Sequence, residues 1–186
     1  MRRTLTGRYG SGIAALAILM ALAVGCGSDE KTDRTKSLPK VTWAIHDRPA
    51  PDFELLEHGV ARTLRLSSER GRIVLLNFCG VQSKASREEL PELMAIHHAF
   101  TDSGVSVIGV LKPINPTKHA ETDTLVSKLG IPYRLLTGTR DVMIAYRMNS
   151  VPMGYLIDRD GIVRNRYIGP KSRDEYARDI HALLRR

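Results

Sequence analysis

Three side chains between positions 79 and 86 are potential nucleophiles: the thiol of Cys79 and the hydroxyls of Ser83 and Ser86. A thiol exchanges disulfides once it is ionised, and a second thiol is needed to resolve the mixed disulfide. A serine hydroxyl attacks only when a base activates it. His97 and His98 follow Ser83 by 14 or more residues on one predicted helix, which places them ~20 Å away. We therefore do not expect serine catalysis.

Each of these residues also has a structural interpretation, which we favour. Serine is among the preferred N-cap residues of helices, and Ser86 followed by Glu89 matches a capping box. An unpaired cysteine at the end of an apolar strand is commonly buried, where it behaves as a small hydrophobe. We expect Ser83 and Ser86 to be helix caps and Cys79 to be a core residue, while a reactive lone thiol at Cys79 stays open.

No metal site and no cofactor is predicted. His97 lies on the apolar stripe of its helix, which favours a hydrogen-bonded core histidine over a metal ligand. The other histidines show no ligand spacing: His46, His58, His119 and His181. The formal net charge is +8, to which three arginines in the first 25 residues contribute, and the basic residues form no block. Nucleic-acid binding is therefore not expected.

The first 25 residues are typical of a secretory signal peptide. Three arginines precede the unbroken apolar run Ile13–Val24, which spans only about 18 Å as a helix, against ~30 Å of membrane hydrocarbon. The segment Ala23–Cys26 resembles the lipobox of bacterial lipoproteins, with Ala23 in place of the usual leucine. We therefore predict lipidation of Cys26, a polar tether over 26–39 and a folded domain over 40–186.

Beyond the tether, apolar runs of strand length alternate with amphipathic helical stretches. The runs Ile73–Cys79 and Val105–Leu111 predict buried parallel strands, and a helix is predicted from Ser83 to Phe100. Shorter elements are predicted at Thr63–Leu66, Ala120–Leu129, Tyr133–Leu136, Asp141–Met148, Met153–Ile157, Ile162–Ile168 and, behind the N-cap Ser172, up to Leu184. This order predicts an α/β domain with a mixed central sheet flanked by helices.

Three stretches in order resemble the TlpA-like thiol–disulfide oxidoreductases, a membrane-anchored branch of the thioredoxin superfamily with a redoxin (AhpC/TSA-like) domain. They are Ala50–Phe53, Leu75–Phe78 with Arg87–Leu93, and Ser150–Pro152 with Tyr155–Gly161. The resemblance implies a thioredoxin-like fold and a cis-proline loop at Val151 and Pro152. It aligns the family's Cys-x-x-Cys pair with Ser83 and Ser86, so the implied active site is degenerate.

A degenerate site predicts loss of family catalysis, and we expect a non-catalytic module that binds an extracytoplasmic protein or peptide. The groove between Ser83–Ser86 and the cis-proline loop would hold an extended chain by backbone hydrogen bonds. The lipid on Cys26 would attach the module to the cell membrane or outer membrane, with the domain in the periplasm or at the cell exterior. The alternative is a one-cysteine oxidoreductase that uses Cys79 in cell-envelope redox homeostasis.

Overall fold

A computed structural model describes residues 46–113 and 115–186. The strands are β1 (Glu54–Leu56), β2 (Thr63–Arg65), β3 (Ile73–Cys79), β4 (Val105–Leu111), β5 (Arg134–Thr137), β6 (Met153–Ile157) and β7 (Val163–Ile168). The helices are α1 (Lys84–Phe100), α2 (His119–Leu129), α3 (Arg140–Ala145) and α4 (Arg173–Leu184). Five strands form a mixed sheet in the order β5-β4-β3-β6-β7, and β1 pairs with β2. The predicted α/β architecture, a mixed central sheet flanked by helices, is confirmed.

The two apolar runs form the centre of the sheet, as predicted. β3 and β4 are parallel and buried at every position, with Cys79 beside Leu111 at their carboxyl ends. On the other side of β3, β6 runs antiparallel and pairs Phe78 with Met153. The end of β3, the end of β4 and the start of β6 therefore meet at one edge of the sheet.

Apolar cores cover both faces of this sheet. On one face, α1 and α4 pack through Leu93, Ile96 and Ile180, all of which are fully buried. On the other face, the β1–β2 pair and α3 enclose a core around Phe78 and Tyr146. These layers fix the sheet edge from which the candidate site is built.

The buried stripe of α1 differs from the one that the sequence predicts, which consists of Leu90, Leu93, Met94, His97 and Phe100. Ile96 is fully buried, while Met94 and His97 are only partly buried at its flanks. The helix continues through Pro91, whose side chain is exposed. The Nδ1 atom of His97 is buried and has no partner among the described residues, so the predicted hydrogen-bonded histidine is wrong at that atom.

One predicted boundary is wrong, and one short strand was missed. The helix predicted over Asp141–Met148 ends at Ala145, because Arg147 adopts a left-handed φ of 50° and the Met148 N–H bonds back to the Met143 carbonyl at 2.8 Å. The short strand β1 was not predicted, since three residues carry too little periodicity.

Part of the sequence interpretation falls on residues outside the described ranges. The signal peptide over 1–25, the lipidated Cys26 and the tether over 26–39 all lie there. Within the described ranges, none of the helices has the length and apolarity that a bilayer-spanning segment requires.

Candidate functional site

Ser83 is the N-cap of α1, as the sequence predicted. Its backbone is extended, and its Oγ accepts a hydrogen bond from the Ser86 N–H at 3.3 Å. The Ser83 carbonyl accepts from the Arg87 N–H at 3.0 Å. The side chain thus satisfies one of the free N–H groups at the start of the helix.

Ser86 has a different structural role from the predicted one. It lies inside the first turn of α1, is 3% exposed, and its Oγ accepts from the Gly80 N–H at 3.2 Å. Glu89 does not complete a capping box with it, because the Glu89 side chain is buried and bonds elsewhere. The predicted Ser86–Glu89 capping box is therefore wrong. Both serine hydroxyls instead accept backbone N–H groups around the start of one helix.

The loop between β3 and α1 is held at both ends. The Ser83 N–H donates to the Gly80 carbonyl at 2.7 Å, and Arg87 Nη1 donates to the Val81 carbonyl at 2.9 Å. Val81 itself is buried, at 6% exposure, while Gln82 is exposed. Backbone, arginine and apolar contacts thus fix the position of the two serines relative to the sheet.

The loop before β6 lies against this segment. The Val151–Pro152 peptide bond is cis, as the sequence resemblance implied. Val151 Cγ2 lies 3.5 Å from the position that a Cβ on Gly80 would occupy. Pro152 is buried and Val151 is half-buried, and the backbone N–H and C=O of Val151 form no hydrogen bond with the described residues. Beside the start of α1, the site therefore presents the N–H and the C=O of one residue, neither of which bonds to a described residue.

Cys79 is the last residue of β3 and is only 3% exposed. It packs in a small apolar cluster with Val81, Leu111 and Leu135. Burial raises the pKa of the Cys79 thiol to about 12, and the charge of Glu89 adds to the rise. The thiol is consequently protonated at neutral pH, and a protonated, buried thiol is a poor nucleophile.

A buried carboxyl near the serines was not identified from the sequence. Glu89 is 1% exposed and accepts hydrogen bonds from Asn77 Nδ2 at 2.8 Å, the Tyr176 hydroxyl at 2.7 Å and the Lys171 N–H at 3.0 Å. Burial raises the pKa of Glu89 despite these bonds, which lower it. The sequence feature that could have revealed this carboxyl is Asn77, a polar residue inside an apolar strand, because a buried amide requires a hydrogen-bond partner.

The histidines considered as bases are not assembled with the serines. His97 and His98 lie in the last turn of α1, with their rings 5.5 Å apart, and His97 faces Tyr133. His58 bonds instead with Asp123, at 3.1 Å. Over the described ranges, the acidic, histidine and cysteine side chains form no cluster of three or more able to hold a metal ion. The geometry at Ser83 and Ser86 therefore offers hydrogen bonding and no activated nucleophile.

Known proteins share both the sequence pattern and the fold. A model of the AhpC/TSA family matches residues 47–166. The thiol-disulfide oxidoreductase ResA of Geobacillus kaustophilus is 26% identical over 168 residues, which cover 90% of this chain and 92% of that protein.

Two solved structures show the same thioredoxin-like fold. One is a thiol:disulfide interchange protein, DsbE, from Chlorobium tepidum, with a TM-score of 0.64 and 23% identity over 73% of this chain and 95% of the other. The second is the exposed lipoprotein thioredoxin Etrx1 of Streptococcus pneumoniae, with a TM-score of 0.63 and 23% identity over 72% of this chain and 100% of the other.

Proposed function

This chain belongs to the AhpC/TSA family, and from that premise we propose that it is an extracytoplasmic, membrane-anchored protein that binds extended peptides without exchanging disulfides. The observation that carries the proposal is the pair of serine hydroxyls at the start of α1. Ser83 and Ser86 occupy the positions that the resemblance assigns to the catalytic cysteines, and both accept backbone N–H groups. Hydroxyls in this setting neither ionise near neutral pH nor form disulfides.

The peptide groups around the cis-proline loop support a binding role. The N–H and C=O of Val151 bond to no described residue, which suits pairing with an extended chain in the manner of an added strand. Beside this loop, Ile168 pairs with Met153 and is 47% exposed, so an apolar contact surface adjoins the unpaired backbone. An extended segment of a partner protein fits this combination.

The proposed location depends on the amino terminus. A basic start, a 12-residue apolar run and a lipobox-like segment ending at Cys26 are the parts of a lipoprotein signal. The same fold occurs in a solved exposed lipoprotein, which is consistent with this arrangement. We place the domain outside the cytoplasm, attached to a membrane through Cys26.

The alternative, single-thiol exchange at Cys79, has less support. Its thiol is buried within an apolar cluster, and its pKa is raised to about 12. A working redox thiol needs access to its partner and a lowered pKa.

Two assays on the full chain in detergent test the proposal. We expect the chain not to accelerate the reduction of insulin disulfides above the rate with dithiothreitol alone, and the same null result for Cys79→Ala. We also expect the chain to capture cysteine-free peptides from an array. Val151→Trp should abolish this capture, because the indole would cover the N–H and C=O of residue 151. The control is Val60→Trp, the same substitution at a valine that is 52% exposed in the β1–β2 turn. Insulin turnover that Cys79→Ala abolishes, or peptide capture indifferent to Val151→Trp, would refute the proposal.

A further inference from the structure

A cavity of about 280 Å³ opens at the carboxyl ends of β3 and β4. The loop after β3, the segment after β4 and the start of α2 enclose it. A cavity needs only roughly 10–15 Å³ to hold one water molecule, so this cavity has room for a side chain. Its inner wall is apolar, formed by the buried side chains of Val81 and Leu111.

The polar part of the cavity is basic. Lys112 and Lys118 line it, and none of the described residues that line it is acidic. Lys118, the residue before α2, pairs with Glu121 in the first turn of that helix at 3.0 Å, whereas Lys112 forms no ion pair with any described residue. The cavity therefore combines an apolar wall with an uncompensated cation, which favours a ligand with an apolar stem and an anionic end.

Thr122 supplies a hydroxyl to the cavity. The residue lines the cavity and is only 2% exposed, and its hydroxyl bonds to no other described residue. That oxygen is not one of the fully buried, unpartnered atoms of the described residues, so it is accessible from the cavity. A ligand oxygen inside the cavity would accept from this hydroxyl.

Gly80 connects the cavity with the cis-proline loop. A Cβ on Gly80 would lie 3.4 Å from Lys112 Cε and 3.5 Å from Val151 Cγ2, so both side chains adjoin the same position. A peptide bound along Val151 would therefore pass the Lys112 side chain. Alternate side chains of an extended peptide point the same way, so one of them would enter the cavity.

We propose that this cavity is the specificity pocket of the peptide-binding groove and that it selects an acidic residue in the bound peptide. The methylene stem of the acidic side chain would pack on Val81 and Leu111. Its carboxylate would bond with Lys112, Lys118 and the Thr122 hydroxyl. The inference rests on the proposed function, since it names which extended peptides that groove prefers.

The test is an array of cysteine-free random heptapeptides probed with the full chain in detergent. We expect glutamate or aspartate to be enriched at one position among captured peptides. Lys112→Glu should lower the signal of those acidic peptides by about fivefold or more, because an attraction becomes a repulsion. Lys128→Glu, at an exposed lysine in the last turn of α2 outside the cavity, should leave the signal unchanged.

Thr122→Val provides a second variant that preserves side-chain shape. It should also weaken capture of the acidic peptides, with little effect on peptides that lack an acidic residue. Capture without acidic enrichment, or enrichment that survives Lys112→Glu, would overturn the pocket assignment and leave the peptide-binding function standing. Absence of any capture that depends on Val151 would overturn both.

Discussion

Burial acts on two acids near the serine pair, the Cys79 thiol and the Glu89 carboxyl, and raises the pKa of both. The physical cause is shared, because a low-polarity environment disfavours the charged form of either group. The consequences differ. Cys79 has only apolar neighbours in its cluster, whereas Glu89 is held by three hydrogen-bond donors.

For Cys79 we expect very slow reaction with an aromatic disulfide reagent at about pH 8. A thiol with a pKa of about 12 is almost wholly protonated there, and its burial excludes the reagent. The measurement uses Cys26→Ser chains, in which Cys79 is the single thiol. Folded protein should react roughly 100-fold or more slowly than the same protein unfolded in urea, since an ordinary thiol has a pKa of about 8.5. Equal rates in the two states would show that Cys79 is accessible and ionised.

For Glu89 we expect a distinct pH dependence of stability. Its folded pKa lies above the value of 4.5 for the exposed group, so the folded chain binds the extra proton. This contribution to the free energy of unfolding is present below that value and is lost as pH rises through the folded pKa. In urea unfolding, the stability of wild type relative to Glu89→Gln should therefore fall as the pH is raised above 4.5.

The matched control for this measurement is Glu88→Gln, which changes an exposed carboxylate one residue away. The stability of wild type relative to Glu88→Gln should not fall in the same way as the pH is raised. If the stability of wild type relative to Glu89→Gln stays constant or rises with pH, burial is not the dominant influence on the pKa of Glu89.

At the scale of elements, local sequence signals were reliable where the partners are local. The capping box of Ser172 and Glu175 spans three residues and forms as predicted, as does the N-cap at Ser83. The Ser86–Glu89 box has the same spacing but does not form. Glu89 instead bonds with Tyr176, which lies 87 residues further along the chain. Such distant partners depend on how α1 packs against α4, and no local pattern reveals that packing.

In the candidate site, too, features with local sequence signals were predictable and features that depend on distant segments were not. The cis-proline loop and the start of α1 were predictable from short motifs, and the structure brings them together at Gly80 and Val151. The cavity was not predictable, since Val81, Lys112 and Thr122 belong to three separate segments and carry no shared spacing. The parallel pairing of β3 with β4 places the segments of Val81 and Lys112 side by side, and Thr122 is added from α2.

The start of α1 retains a setting in which a thiol would be activated. The helix dipole and the free N–H groups lower the pKa of a thiol placed there. We expect Ser83→Cys with Ser86→Cys to form an intramolecular disulfide, as oxidised glutathione takes up two electrons and two protons to leave as two reduced molecules. The loss of each hydroxyl bond should cost about 1 kcal/mol of stability. Thiols are counted across a glutathione redox titration.

The control for this pair is Ser83→Cys with Ser86→Ala, which carries one introduced thiol and should form only a mixed disulfide with glutathione. If the double-cysteine variant keeps both thiols reduced under oxidising conditions, the backbone at the start of α1 does not support a disulfide. The assignment of these positions to the family's cysteine pair would then fail.

At the scale of the whole molecule, we propose separate roles for the described domain and the amino-terminal segment. The domain contains the cavity, and none of its described helices is long and apolar enough to cross a membrane. In the proposed arrangement, attachment to a membrane depends on the segment that ends at Cys26. The net positive charge adds a weak attraction to anionic lipid, which salt screens.

We accordingly expect Cys26→Ser to release the protein from membranes. Each buried methylene of an acyl chain contributes ~0.8 kcal/mol, and more than one chain is needed for stable anchoring, so loss of the acylated cysteine removes nearly all of the binding energy. Wild type should stay in the membrane fraction when washed in about 1 M salt, where the Debye length is only about 3 Å. The variant should leave that fraction, and the lipid-bearing mature amino terminus that begins at residue 26 should be absent. A variant that is processed normally and stays with the membrane in high salt would show that Cys26 is not the anchor.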